Sequence, residues 1–388
     1  MERALPPLKD GITDLIDASF PGGNIVVREA KGADVYLSPD LRDTEGHWFY
    51  WYFRVRGAGG KRLTFHFDSN VIGTRGPAVS LDKGWSWQWL GEEDRRTFSY
   101  TFPEEPEEVR FSFGIPYVSE HLERFLHENW ENPRLRLGTL TTSRKGRPVE
   151  ALWLNRKAQP SGSRETPVRL LVTCRHHACE AIANYTLEGL LAEIMTGKLA
   201  AWYAENVEVL AIPFVDKDGV EDGDQGKNRR PRDHNRDYVG ESVHPEVKAI
   251  RQLVPDWSKG APLVAIDLHC PHIRGQHNEV IYLVGVPHEE MWERQQAFGR
   301  ILERVRRGPL PYRAADNLPY NTGWNTPQNY SQGKNFSAWA AELHGVCLAT
   351  AIEIPYANVG EVTMSIEAAR ALGRDLAHAV RDYIASYA

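Results

Sequence analysis

Four apolar runs constrain this chain most: 168–173 (VRLLVT), 207–215 (VEVLAIPFV), 263–266 (LVAI) and 346–354 (VCLATAIEI). Each is too short to cross a bilayer as a helix. Each is also too evenly apolar to keep one face in water, so these runs read as strands covered on both sides. Helical patterns alternate with them, at about 180–196, 245–253, 288–306 and 363–386. In the last of these Ile366, Leu372, Leu376, Val380 and Ile384 fall roughly on one stripe. The alternation predicts an α/β domain over residues 131–388, with a mixed, largely parallel central sheet flanked by helices. A site in such a sheet belongs at the carboxyl ends of the strands.

Residues 1–130 have a different texture. Aromatic and β-branched residues cluster in short runs at 48–56, 63–67, 98–102 and 109–114, separated by glycine, proline and acidic turns. The alternation in 63–67 is strict, which implies one buried and one wet face. An all-β antiparallel sandwich is expected here. A chain of 388 residues is long enough for both domains.

Composition narrows the function. With 46 Lys+Arg against 52 Asp+Glu the formal net charge is -6, a poor balance for a general nucleic-acid binder. The first ten residues lack the apolar core of a signal peptide. Four cysteines do not make a disulfide scaffold, and Cys179 and Cys270 read as small buried fillers, with a metal-ligand role as the alternative. The expectation is a cytoplasmic protein with neither a nucleic-acid nor a membrane partner.

Chemistry concentrates in three places. Cys174-Arg-His-His-Ala-Cys-Glu180 follows a strand and opens a helix. His177 and Glu180, three residues apart there, lie on one side, and an imidazole with a carboxylate suits Zn²⁺. A catalytic zinc needs a third protein ligand, and His269 sits at the end of the 263–266 run. A lone histidine is most often just semi-buried, but two strand-end histidines with a helix-start glutamate shift that balance. The second place is 226–238, rich in arginine, where Arg236 offers a planar fork for a carboxylate and Asp233 could hold a ligand imidazole in its tautomer. The acidic stretch 216–224 fails the EF-hand pattern, with Val220 at a ligand position and Lys227 at the twelfth. The third is Glu353, a carboxylate inside a buried-strand pattern. It is either a strand-end residue facing water or a general base beside a metal.

The ordered set His177-x-x-Glu180, Asp233-x-Asn235-Arg236, His269 and Glu353 resembles the zinc carboxypeptidase superfamily. Segments 48–55 and 111–122 look like the N-terminal β-domain of its cytosolic carboxypeptidase subfamily, so the resemblance runs from about 40 to 380. It implies Zn²⁺, one per chain, held by His177, Glu180 and His269. It implies Glu353 as the general base, and Asn235, Arg236 and Tyr330 as the grip on a substrate's free carboxylate. The family's oxyanion arginine fits Arg229 or Arg230, with Arg229 preferred. The implied partner is a peptide or protein C-terminus. An acidic C-terminal residue, served by Lys334, Arg274 or Arg232, is the subfamily's frequent preference, and the specificity position falls near Ser337 or Ala338.

This chain departs from the subfamily pattern at His177-Ala-Cys-Glu180, where His-Pro-Gly-Glu is usual, and at Asp267-Leu-His-Cys-Pro-His272, where Asp-Leu-His-Gly-His is usual. Two other functions compete. One is a zinc amide hydrolase of another substrate class, an N-acyl-amino-acid deacylase or a cell-wall peptide amidase, since one site can host several substrates. The other is a non-catalytic peptide or glycan binder using the tryptophan-rich N-terminal region.

Overall fold

The computed structural model of the chain describes residues 11–91, 94–156 and 166–386. The reading of residues 1–10 as free of a signal peptide lies outside them. The later part of the chain builds a seven-stranded sheet from β1 (Leu135–Thr142), β2 (Pro148–Leu154), β3 (Val168–Cys174), β4 (Val207–Ile212), β5 (Leu263–His269), β6 (Tyr282–Val284) and β7 (Val346–Glu353). Their spatial order is β1-β2-β4-β3-β5-β7-β6. The four apolar runs of the sequence are the four mutually parallel strands β4, β3, β5 and β7. The flanking pairs β1/β2, β2/β4 and β6/β7 are antiparallel, which makes the sheet mixed, as expected.

Helices cover both faces. Leu170, Val172 and Cys174 of β3 join the core that holds α1 (Ile182–Thr196), α3 (Glu289–Val305) and α4 (Ile366–Ser386). Leu171, on the opposite face, joins a second core with α2 (Pro245–Trp257) and the short helix Phe336–Ala340. That burial on both sides is why these strands carry no polar alternation. No helix among the described residues is long and apolar enough to cross a membrane.

The amino-terminal region consists of two sheets and, departing from the all-β expectation, the helix Ser119–Glu128. One sheet holds Ile16–Asp17, Tyr52–Arg56, Glu108–Ser112, Ala78–Ser80 and Gln88–Trp89; the other holds Val26–Lys31, Asp34–Ser38, Arg62–Phe67 and Thr97–Thr101. Their inner faces meet through aromatic rings, with Phe53 and Phe111 of the first sheet against Phe65 of the second at centroid distances of 5.5 and 5.6 Å. The strict alternation at 63–67 does put Leu63, Phe65 and Phe67 inside. One pairing departs from the antiparallel expectation: Asp34–Ser38 runs parallel to Arg62–Phe67. The chain between them spends a strand, Tyr52–Arg56, in the other sheet and returns in its original direction.

The two regions share buried polar contacts. The Asn24 side chain donates to the Gly223 carbonyl at 2.7 Å, and the Tyr117 hydroxyl donates to Glu188 Oε1 of α1 at 2.8 Å. Within the second region α1 and α4 touch backbone to backbone. A Cβ on Gly189 would lie 1.9 Å from the Arg370 carbonyl oxygen, and one on Gly373 would lie 2.0 Å from that of Thr186. No side chain can yield there, so any substituent must push the helices apart. Gly373→Ala is expected to destabilise the protein by about 1–3 kcal/mol, read as a lower urea midpoint.

Candidate active site

The site is set by strand ends. Cys174 closes β3, His269 is the last residue of β5, and Glu353 is the last of β7. His269 and Glu353 are register partners across the parallel β5/β7 pair, so their side chains leave the sheet at the same level. Helix α1 starts at Ile182, two residues later than expected, and His177 and Glu180 sit in the turn before it, where the Glu180 N–H donates to the His177 carbonyl at 3.2 Å. Buried Arg175, at φ 61°, pins that turn by donating to the carbonyl oxygens of Ala178 and Tyr117 and to Asn184 Oδ1.

The three predicted ligands converge. Donor atoms of His177, Glu180 and His269 all lie within 4.8 Å of one another. His177 Nδ1 is 2.9 Å from Glu180 Oε1, and His269 Nδ1 is 2.7 Å from Glu180 Oε2. The far nitrogen of each ring faces an aspartate. His269 Nε2 is 2.5 Å from Asp267 Oδ2, and His177 Nε2 is 3.7 Å from the otherwise unpartnered Asp233 Oδ1. With hydrogen on those far nitrogens, both rings would present Nδ1 lone pairs on the Glu180 side, the orientation that metal-ligating histidines take. Two imidazoles and one carboxylate are a donor set that fits catalytic zinc.

The supporting carboxylates are themselves held. Asp267 accepts from Thr173 Oγ1 at 2.7 Å and lies 2.9 Å from His176 Nδ1, whose Nε2 is 2.7 Å from the Tyr238 hydroxyl. Burial opposes charge on Asp267, but His176 and His269 keep its pKa below the usual carboxylate range. The same balance holds for Asp233, where His177 and Arg236 offset burial. Glu353 differs: burial pushes its carboxyl pKa up against the pull of His269, and its buried Oε2 has no hydrogen-bond partner. A carboxylate in that setting suits proton transfer.

A cleft of about 640 Å³ opens over this cluster and is lined by Asn235, Arg236 and Tyr330 as well as by His177, His269 and Glu353. Asn235 Oδ1 accepts from the Phe336 N–H at 3.0 Å. Arg236 donates from Nε to the Asn329 carbonyl and from Nη1 to the Asn235 carbonyl, both at 2.9 Å, with its guanidinium over the Tyr330 ring. The Tyr330 hydroxyl donates to Asn325 Oδ1 at 2.7 Å.

The arginines expected to serve the oxyanion, Arg229 and Arg230, do not line the cleft. Buried Arg229 donates to Asp216 Oδ2 and Asp224 Oδ2, each at 2.8 Å, and pairs with Asp43. Three carboxylates hold it outside the cleft. Arg230 is exposed and paired with Glu45. The acidic stretch 216–224 thus supplies ion-pair partners, with Asp218 and Asp222 taking Arg147. Lys227, to which the sequence reading gave no function, does line the cleft. Its Nζ is 2.7 Å from Glu180 Oε1 and donates to the Cys270 carbonyl at 3.1 Å.

The residues named for an acidic pocket are also committed elsewhere. Lys334 pairs with Glu342, Arg232 with Asp237, and Arg274 donates to the carbonyl oxygens of Ile72 and Gly73. Ala338 lines a neighbouring hollow of about 270 Å³, whose wall shares Tyr330 with the cleft, and Ser337 is buried. Cys179 and Cys270 are free, buried thiols, and neither belongs to a converging donor group among the described residues. A further group, His234, His244 and Glu246, also brings donor atoms within 4.8 Å of one another, with its two rings stacked at 3.7 Å between centroids.

Residues 122–242 match the family model described as zinc carboxypeptidase. The chain is 22% identical over 290 residues to cytosolic carboxypeptidase 6 of Caenorhabditis elegans, covering 66% of this chain and 62% of that protein. It is 23% identical over 368 residues to human cytosolic carboxypeptidase 4, covering 79% of this chain and 32% of that one. It therefore spans less than two thirds of these relatives. Among solved structures, a metallo-carboxypeptidase from Burkholderia cenocepacia aligns with a TM-score of 0.76 at 21% identity, over 96% of this chain and 99% of that one. One from Pseudomonas aeruginosa, in complex with (2-guanidinoethylmercapto)succinic acid, gives 0.76 at 20% identity, over 96% and 100%. The similarity to the zinc carboxypeptidase family thus rests on residues 122–242, and the homology to cytosolic carboxypeptidases is distant.

Because Asp233 backs the His177 ring, Asp233→Asn should weaken zinc binding about 10–100-fold, measured by chelator competition.

Proposed function

We propose that this protein is a zinc-dependent metallocarboxypeptidase that hydrolyses the C-terminal peptide or isopeptide bond of peptides or protein tails. The observation that carries the reading is one cleft that holds both a His177–Glu180–His269 donor set beside Glu353 and, as neighbours, Asn235, Arg236 and Tyr330. The first group suits amide hydrolysis and the second suits a terminal carboxylate.

His177, Glu180 and His269 would hold the zinc. When bound, it supplies a Lewis acid that polarises the scissile carbonyl and makes water easier to deprotonate. Glu353 takes the proton from the attacking water, and its raised pKa lets it pass that proton to the leaving amine. Asn235 and Arg236 fix the substrate's free carboxylate, and Tyr330 packs on the guanidinium that does so. Holding both ends of the last residue selects an exopeptidase over an endopeptidase.

For the departing side chain, the cleft offers Tyr282, Val284, Trp324 and Ala351 as walls. These surfaces favour an apolar or aromatic C-terminal residue over an acidic one. The proposal also divides the chain near residue 130 and places it in the cytoplasm, as the resemblance to cytosolic carboxypeptidases implies.

The test is zinc content together with hydrolysis of peptides ending in Phe, Glu, Asp or Lys. One zinc per chain is expected, with the Phe peptide cleaved fastest. Glu353→Gln should lower kcat about 10²–10⁴-fold. Arg236→Ala should cost about 2–5 kcal/mol in kcat/KM. Zinc without cleavage of any peptide would overturn the carboxypeptidase reading and favour the N-acyl-amino-acid deacylase or amidase.

A further inference from the structure

Deepening the proposed carboxypeptidase reading, and resting on it, we infer that Lys227 is the cation that stabilises the developing oxyanion, and that in the metal-free protein the same ammonium serves as counter-ion to Glu180.

The position of Lys227 follows from the backbone before it. Gly226, at φ 78°, lies so close to the ligand turn that a Cβ there would be 2.2 Å from the Ala178 nitrogen. The Cys179 N–H donates to the Gln225 carbonyl at 3.2 Å, which clips the same segment to the same turn. The Gln225 side chain is fixed in turn, its Oε1 accepting from the Phe49 and Tyr50 N–H groups at 3.1 and 2.9 Å. The next residue is thereby delivered into the cleft. Its Nζ reaches Glu180 Oε1 and the Cys270 carbonyl, the residue after the ligand His269. Arg236, by contrast, is braced by two backbone carbonyls on the carboxylate side of the cleft.

Elementary electrostatics gives Lys227 two positions. A dication held by Glu180 and an ammonium 2.7 Å from the same carboxylate repel strongly in a buried site. The ammonium therefore yields Glu180 when metal binds. Its flexible four-carbon stem lets it turn while the backbone stays pinned. Held beside the zinc ligands and Glu353, it faces the place where negative charge develops on the substrate carbonyl oxygen. Arg229 and Arg230, the two arginines in this segment expected to do so, are held by carboxylates outside the cleft.

Two variants and two readouts test this. In Lys227→Met no ammonium competes for Glu180, so zinc affinity measured by chelator competition should rise about tenfold or more. In the same zinc-loaded variant kcat should fall about 10²–10³-fold with KM little changed. Lys227→Arg keeps a cation and should retain kcat within about tenfold of the parent. Unchanged or weaker zinc affinity in Lys227→Met would overturn the counter-ion role. A parental kcat in that variant would overturn the oxyanion role. If the Met variant does not fold, a folded, zinc-binding Lys227→Arg that loses more than 100-fold in kcat would overturn the oxyanion role. A parent that binds zinc but cleaves no peptide would fail the carboxypeptidase reading alone, since the zinc-affinity comparison still tests the counter-ion role.

Discussion

The site depends on the register of three parallel strands. Thr173 lies opposite Asp267, and Asp267 opposite Ala351, while His269 lies opposite Glu353 one pleat further on. Ladder hydrogen bonds therefore set the separation of His269 and Glu353, and no loop has to find it. A slip of one residue in β7 would turn Glu353 to the other face and remove its carboxylate from the cleft. The heavy apolar content of these strands follows from their burial on both faces.

On that frame stands a group of buried charges that would be unstable alone. Glu180, Asp233 and Asp267 are nearly inaccessible, and each is offset by a histidine, a lysine or an arginine. The pattern is layered. Carboxylates grip the far nitrogens of the ligand rings, Thr173 and His176 grip Asp267, and Tyr238 grips His176. Glu353 keeps an unpartnered oxygen, and burial raises its pKa against the pull of His269. One environment thus keeps two aspartates ionised and leaves a glutamate ready to change state.

Much of this was legible in the sequence. The apolar runs fixed the central strands, and placing His269 and Glu353 at strand ends followed from where those runs stop. The spacing of His177 and Glu180 put them side by side, and the turn ahead of α1 does so too, though by a route other than helical periodicity. What could not be read was the division of the arginines. Residues 226–238 carry several cations, and only the fold shows that Asp216 and Asp224 take Arg229. The lysine that enters the cleft has no distinguishing neighbour in sequence. Its position comes from the close approach of Gly226 to Ala178, a contact between segments nearly fifty residues apart. The parallel strand pair in the amino-terminal region was hidden for the same reason, since a pairing made after a detour through another sheet leaves no local pattern.

The Gln225 side chain changes how the amino-terminal region should be regarded. Its amide oxygen satisfies two buried N–H groups of that region while its nitrogen donates to Cys179, between the two ligands of the turn. Trp48, one residue away from that junction, forms part of the cleft wall. The β region is thus a buttress rather than a tethered module. The later region expressed without it would expose an unsupported 177–180 turn and half a cleft wall. The two regions must vary together, so a graft that swaps either one between relatives has to carry its side of this junction.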